Sequence, residues 1–292
     1  MLFQPPPLCG ESTIAYIHLR RCEKGGYCFY RLEEPNCADT YYALFSLNLT
    51  NNLAPDPQTE VFLLDRQKPD GSYESLSQAF FCIGGLRLLG KTPAYDPRDY
   101  VLTHLRLYEP HQLPPGESSI FTHLYWLAYL YRWLNINLPW ETKKRLMAFL
   151  RQYQKKNGGF GHPFANLLET RDASVMLSYL TPDIDKEKLA SFLRSCEDNT
   201  WGFVNVPGGF FSYLEHIQAG LELCTLLSVS PSYPKAIIDT ISSCRRANGG
   251  YSRTTHAGIA TLEYTYLALS SLAFIKELKE RPPSTQPTHR TD

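Results

Sequence analysis

Apolar residues recur at helical spacing along most of this chain, in two alternating kinds of stretch. The first kind is amphipathic. Leu146, Phe149, Leu150 and Tyr153 fall on one face, with Lys143, Lys144, Arg151 and Lys155 on the others, the pattern of a helix with a single buried stripe. The second kind carries few charges and many small or apolar residues, as in 38–49, 77–89 and 262–273. A helix apolar almost all round is buried on both sides. The pattern therefore predicts outer helices alternating with inner ones.

A short turn built on glycine and an aromatic residue separates each outer stretch from the inner one that follows. It reads Gly25-Gly26-Tyr27, Gly71-Ser72-Tyr73, a degenerate Gly116-Glu117-Ser118, Gly158-Gly159-Phe160, Trp201-Gly202-Phe203 and Gly249-Gly250-Tyr251. A repeat of roughly 40 residues marks an architecture in which one helical hairpin cannot bury its apolar face alone. Six hairpins are enough to close a ring around a cavity. The expected fold is all-α, an α6-α6 toroid (barrel) of six helical-hairpin repeats. Residues 14–276 would form this single domain, after an N-terminal segment (1–13) and before a disordered tail (277–292) whose Pro, Thr and Ser content argues against packing.

Aligning the inner stretches on their closing leucines puts a polar column near the first turn: Asp39, Gln78, His123, Glu169, Glu215 and Glu263. Three residues later stand Tyr42, Phe81, Trp126, Asp172, Gln218 and Tyr266; seven residues later, Ser46, Gly85, Leu130, Met176, Glu222 and Ser270. Positions i, i+3 and i+7 share a helix face. The lumen is thus expected to have an aromatic wall from repeats one, two, three and six, and an acidic sector from repeats four and five.

Carboxylates gathered in a concave, partly apolar site repel one another, so at least one of their pKa values should rise. Such an acid can donate a proton, and ionised carboxylates can hold a hard cation such as Mg²⁺. Glu222, Glu215, Glu263, Glu169 and Asp172 are the candidate catalytic residues. Glu169, Glu215 and Glu263 taken singly could equally be helix caps, and Glu222 could pair with a buried donor. Tyr42, Phe81, Trp126, Tyr266, Gln218 and His123 are candidates for binding an apolar ligand or a cation against π faces. Each of these rings could also be ordinary core. Glu215, Glu263 and His216 are the candidate metal ligands, although adjacent helical residues point about 100° apart.

Composition narrows the classes. The 292 residues are 43% hydrophobic and 13% aromatic with a formal charge of zero, enough for a sizeable core and unfavourable to nucleic acid as a partner. No apolar run reaches the ~18 residues of a membrane span. The first residues lack the regions of a signal peptide, so a cytoplasmic protein is expected, with its eight cysteines reduced. Cys22, Cys196 and Cys244 stand where other repeats have Gln67 and Gln154, which reads as a shared structural position.

The Gly-Gly-aromatic turns, with Asp39-Thr40-Tyr41-Tyr42-Ala43-Leu44 and Asn157-Gly158-Gly159-Phe160-Gly161, make residues 14–276 resemble the α/α-toroid superfamily of protein prenyltransferase β subunits and squalene/terpene cyclases. The resemblance implies the toroid and an isoprenoid-like ligand, but neither standard active site. The Asp-x-Cys pair and the His that hold the prenyltransferase zinc fall on Glu215, Ile217 and Glu263, so a standard zinc site is not predicted. The His that helps hold the prenyl diphosphate falls on Glu169. The cyclase proton donor stands one residue ahead of the polar column, on Ala38, Ser77, Thr122, Leu168, Leu214 or Leu262, none of them acidic. Three readings follow: an isoprenoid-processing enzyme that uses the acidic sector as proton donor or metal cradle; a non-catalytic container for a hydrophobic ligand; and a scaffold paired with a helical partner subunit, as β subunits of the family are.

Overall fold

The computed structural model describes residues 10–30, 34–113 and 119–280. The amphipathic stretches form α1 (Glu11–His18), α3 (Pro57–Leu64), α5 (Arg98–Thr103), α7 (Trp140–Gln152), α9 (Lys186–Ser195) and α11 (Pro234–Ser243). The less charged stretches form α2 (Cys37–Leu49), α4 (Leu76–Leu88), α6 (Thr122–Trp133), α8 (Leu167–Leu180), α10 (Leu214–Leu227) and α12 (Leu262–Glu280). A two-residue ladder of β1 (Glu197–Asp198) and β2 (Gly202–Phe203) frames the Trp201 turn. Inner helices pack in sequence, α2 on α4, α4 on α6, α6 on α8, α8 on α10 and α10 on α12, and α12 returns to α2. The ring is closed, and the fold is the expected α/α toroid.

The turns explain the closure. Gly158 (φ +90°) lies so near Lys188 that a Cβ would come within 2.3 Å of its carbonyl oxygen, and Gly249 (φ +90°) sits in the same way against the carbonyl of Ser12. Only glycine combines that φ with that approach. Each such turn docks on the start of the next outer helix, and the last docks on the first: Thr13 Oγ1 donates to the Gly249 carbonyl at 2.7 Å. Gln67 Nε2 donates to the carbonyls of Gly71 and Tyr95, and Gln154 Nε2 to that of Gly158, so these glutamines staple turns. Thr40, Thr170 and Thr265 accept the N–H of the turn aromatics Tyr27, Phe160 and Tyr251. Between the two helical layers lies the core, where Tyr16, Phe121, Tyr131, Phe160, Phe192 and Phe203 are fully buried.

Among the described residues, no helix is long and apolar enough to cross a membrane. Residues 1–9, the turn at Pro114-Pro115-Gly116 and the tail from Arg281 lie outside the described residues.

Candidate active site

The first turns of the inner helices, and the loops leading into them, enclose a cavity of about 550 Å³. Such a volume accommodates a ligand of drug-like size. Tyr41 and Tyr42 of α2, Phe80 and Phe81 of α4, Tyr125 and Trp126 of α6 and Tyr266 of α12 form an aromatic wall. The rings touch in a chain: Tyr266 stacks on Tyr42 with centroids 5.1 Å apart, Tyr42 meets Phe81 at 5.5 Å, and Phe81 meets Trp126 at 6.4 Å. Glu169, Arg171, Asp172, Glu215, Gln218 and Glu263 face it across the cavity. The split into an aromatic wall and an acidic sector follows the sequence, with Tyr266 beside the acidic side.

Deep in the polar sector the cluster is not purely acidic. Arg171 donates from Nε to Asp172 (2.6 Å) and from Nη1 to Gln218 (2.8 Å) and Glu222 (3.1 Å). Tyr129, from the opposite wall, donates to Glu222 at 2.6 Å, and Gln218 donates to it at 3.2 Å. Arg171 also lies over the Tyr125 ring, 4.3 Å from its centroid. Glu222 is therefore paired with buried donors and sits behind the lining. Burial raises the Asp172 carboxyl, against the opposing charge and hydrogen bond of Arg171 and with help from Glu222. Sequence reasoning missed Arg171, Tyr125 and Tyr129. The available signal was a basic residue between Glu169 and Asp172, in a segment otherwise read as acidic.

Glu169 is tied into the loop before α8. Its Oε2 accepts from the His162 N–H and Asn166 Nδ2, and its Oε1 from Ser119. Asp39 and Gln78 make the equivalent contacts in their own repeats, to the Phe29 and Glu74 N–H groups. These three residues play the capping role.

Glu215 and Glu263 do not, because the alignment slips by one residue in the last two repeats. Asn36, Ser75 and Asn166 cap the N–H groups of Asp39, Gln78 and Glu169, whereas Thr261 caps that of Tyr264. In α10 the corresponding third helical position is His216. The structural column is therefore Asp39, Gln78, Glu169, His216 and Tyr264. Glu215 and Glu263 stand one residue ahead of it, and both line the cavity. The expectation that no acid occupies that forward position is corrected: two do. The spacing of the threonines held the clue, since Thr40 and Thr170 directly follow Asp39 and Glu169 while Thr265 comes two residues after Glu263.

The two carboxylates differ. Glu215 Oε1 pairs with Arg253 Nε at 2.6 Å, leaving Oε2 buried without a partner among the described residues. Glu263 has neither hydrogen bond nor ion pair among the described residues. Burial, then the charges of Glu215 and Asp39, push its carboxyl above the usual range against the pull of Arg253.

Two histidine expectations are corrected. His123 turns away from the central cavity into a side pocket of about 210 Å³, its Nε2 2.6 Å from the Arg106 carbonyl oxygen; burial lowers its pKa. His216 is buried as well, accepting the Tyr213 N–H at Nδ1. Burial and the nearby Arg253 charge lower it to about 4. It does not join Glu215 and Glu263 on the lining, because a neighbour in sequence on a helix faces another direction. Among the described residues, no three His, Cys, Asp or Glu side chains are grouped to hold a metal ion.

The sequence matches the prenyltransferase alpha-alpha toroid domain over residues 6–79 and 95–286. The chain belongs to this family. Among solved structures, this toroid chain is similar to Candida albicans protein geranylgeranyltransferase-I complexed with GGPP (16% identity, 94% of this chain and 93% of that one, TM-score 0.65). It is also similar to the type II terpene cyclase MstE from Scytonema. One MstE variant is in complex with the product merosterolic acid A (14% identity, 91% of this chain and 96% of that one, TM-score 0.59). Another holds the substrate geranylgeranyl dihydroxybenzoate (14% identity, 92% and 96% coverage, TM-score 0.55). No curated protein matches the sequence. At these identities the likeness shows the fold alone.

Proposed function

We propose that this toroid is an isoprenoid-processing enzyme in which the aromatic wall holds an apolar polyene and Glu263 protonates it. The observation that carries the reading is Glu263 itself: a carboxyl on the cavity lining, raised toward its neutral form and without a hydrogen-bonding partner among the described residues. A neutral carboxylic acid beside an apolar ligand can transfer its proton to a carbon–carbon double bond. The π pair forms the new C–H bond and leaves a carbocation. Tyr42, Phe81, Trp126 and Tyr266 present rings along the same cavity, and aromatic faces attract cations. Transfer of a proton from the cation to water, with Glu263 taking a proton back from solvent, closes the sequence as an isomerisation or cyclisation. Glu215, fixed by Arg253, keeps a negative charge near Glu263 and so sustains its proton affinity. The solved neighbours whose complexes contain isoprenoid ligands support the ligand class.

The test is incubation of the purified protein with geranylgeraniol and with squalene, followed by gas chromatography and mass spectrometry. Isomeric cyclic products, lost in Glu263→Gln, are expected. Tight binding with unchanged substrate would overturn the enzyme reading in favour of a container. Failure to bind either compound would leave the scaffold reading.

A further inference from the structure

We propose that Cys37 and Cys82 are a peroxide-responsive thiol pair whose disulfide cross-links the inner helices α2 and α4. Their Sγ atoms lie 3.4 Å apart across 45 residues of sequence, with Cys82 donating to Cys37. A disulfide needs about 2.05 Å, and the two sulfurs already stand in direct contact. The helices already pack against each other.

The two thiols are chemically unequal. Cys37 is the first residue of α2 and is half-buried. Backbone N–H groups at a helix N-terminus favour a thiolate there. The hydrogen bond from Cys82 lowers its pKa further, against desolvation and with help from the Arg66 charge. Cys82 is fully buried on α4, and its hydrogen bond to Cys37, followed by burial, raises its own thiol. Cys37 is thus the nucleophile and Cys82 the resolving thiol. The Cys37 thiolate attacks one oxygen of hydrogen peroxide; the O–O bond breaks, giving a sulfenic acid and, after protonation, water. Cys82 then attacks Cys37 Sγ, the S–O bond breaks, and the departing hydroxide takes the Cys82 proton as a second water. Two thiols lose two electrons and the peroxide gains them.

The position gives the bond a consequence. Cys37 lies one helical turn before Tyr41, and Cys82 directly follows Phe81. The Tyr41 and Phe81 rings touch at 5.8 Å. A cross-link therefore ties together the two helices that carry four of the seven rings of the aromatic wall. Neither the thiol chemistry nor its geometry depends on what the cavity holds.

The experiment treats the reduced full-length protein with hydrogen peroxide and follows intact mass, peptide mapping and thermal unfolding. A loss of two hydrogens, a Cys37–Cys82 linked peptide, a higher unfolding midpoint and reversal by dithiothreitol are expected. Cys37→Ser and Cys82→Ala should each abolish the link. Cys82→Ala should instead leave a Cys37 sulfenic acid that dimedone traps, a readout that needs only a folded variant. Cross-linking of other cysteines while Cys37 and Cys82 still react with iodoacetamide once the protein is unfolded would overturn the proposal. So would a two-hydrogen loss that persists in both variants.

Discussion

Removing the Arg171 guanidinium should be far more damaging than neutralising the carboxylate it meets. Asp172 and Glu222 are 4% and 7% exposed, and Arg171 is the cation paired with both. Arg171→Met fills much of the same volume but leaves two buried carboxylates beside each other. Breaking a buried pair from one side costs about 3–5 kcal/mol, a large share of the ~5–15 kcal/mol by which a typical domain is stable. Glu222→Gln removes one negative charge from a cluster of two carboxylates and one guanidinium. Tyr129 and Arg171 donate to different oxygens of Glu222, so the amide oxygen keeps the Arg171 bond while the amide NH2 donates to the Tyr129 hydroxyl, which can turn to accept. The cost should therefore stay within about 1 kcal/mol. The two variants also differ in pH dependence. With the cation gone, the Asp172 carboxyl, already raised by burial, should titrate further above its unfolded value near ~4. Protons are then bound more tightly by the folded state. The variant should be most stable below that pH and should lose stability as pH rises through the raised folded value. Urea denaturation at pH 5 and pH 8 measures this directly. Equal midpoints for Arg171→Met and the parent protein at pH 8, or a loss in Glu222→Gln as large as in Arg171→Met, would refute the reasoning.

Three further outcomes are expected. Glu263 is raised in the folded state, so the stability it contributes is complete below its unfolded value and declines as pH rises through the folded one. Glu263→Gln should therefore unfold at a higher midpoint than the parent at pH 8 while losing turnover; a lower midpoint would mean that the carboxylate is stabilised by its site. His216, lowered to about 4, contributes stability that is present above its ordinary value near ~6.5 and lost as pH falls toward the folded value. The loss should approach about 3 kcal/mol, and His216→Asn should flatten that part of a pH series of urea midpoints. Gly249→Ala combines an unfavourable φ with a backbone clash and should cost at least about 2 kcal/mol, read as a lower calorimetric transition, whereas the same substitution at Gly90, where a Cβ meets nothing, should cost less.

The fold was legible because it is written many times. Alternation of charged and uncharged helical stretches, punctuated by Gly-Gly-Tyr and Gly-Gly-Phe turns, predicts the layers, the ring and an aromatic wall of Tyr42, Phe81, Trp126 and Tyr266. The polar half of the site was less legible, for two physical reasons. Aligning on closing leucines fixes one end of each helix, while the register at the other end is set by the cap. Thr261 in place of the Asn seen at 36 and 166 starts α12 one position away from that frame, and Glu263 leaves the capping column for the lining. Pairing was the second obstacle. Nothing in the period of a helix says that Arg171 reaches from α8 to Glu222 on α10, or that Tyr129 reaches the same carboxylate from α6. Those bonds exist only once the ring brings the helices face to face. The histidines failed for a related reason, since polarity near a helix start identifies a cap as readily as a ligand contact.

Closure of the ring also has a consequence for vectorial synthesis. The hydroxyl of Thr13 meets the carbonyl of Gly249 across 236 residues, and Arg245 Nη2 reaches Ser12 Oγ at 2.8 Å. The helix made first finds its docking site only when one of the last turns has left the ribosome. Until then the opening pair of helices has an uncovered flank, and the growing chain is an unfinished arc with two apolar edges. Exposed edges of that kind favour aggregation. The seam, rather than any single repeat, should thus decide whether a nascent chain completes its circle or joins another.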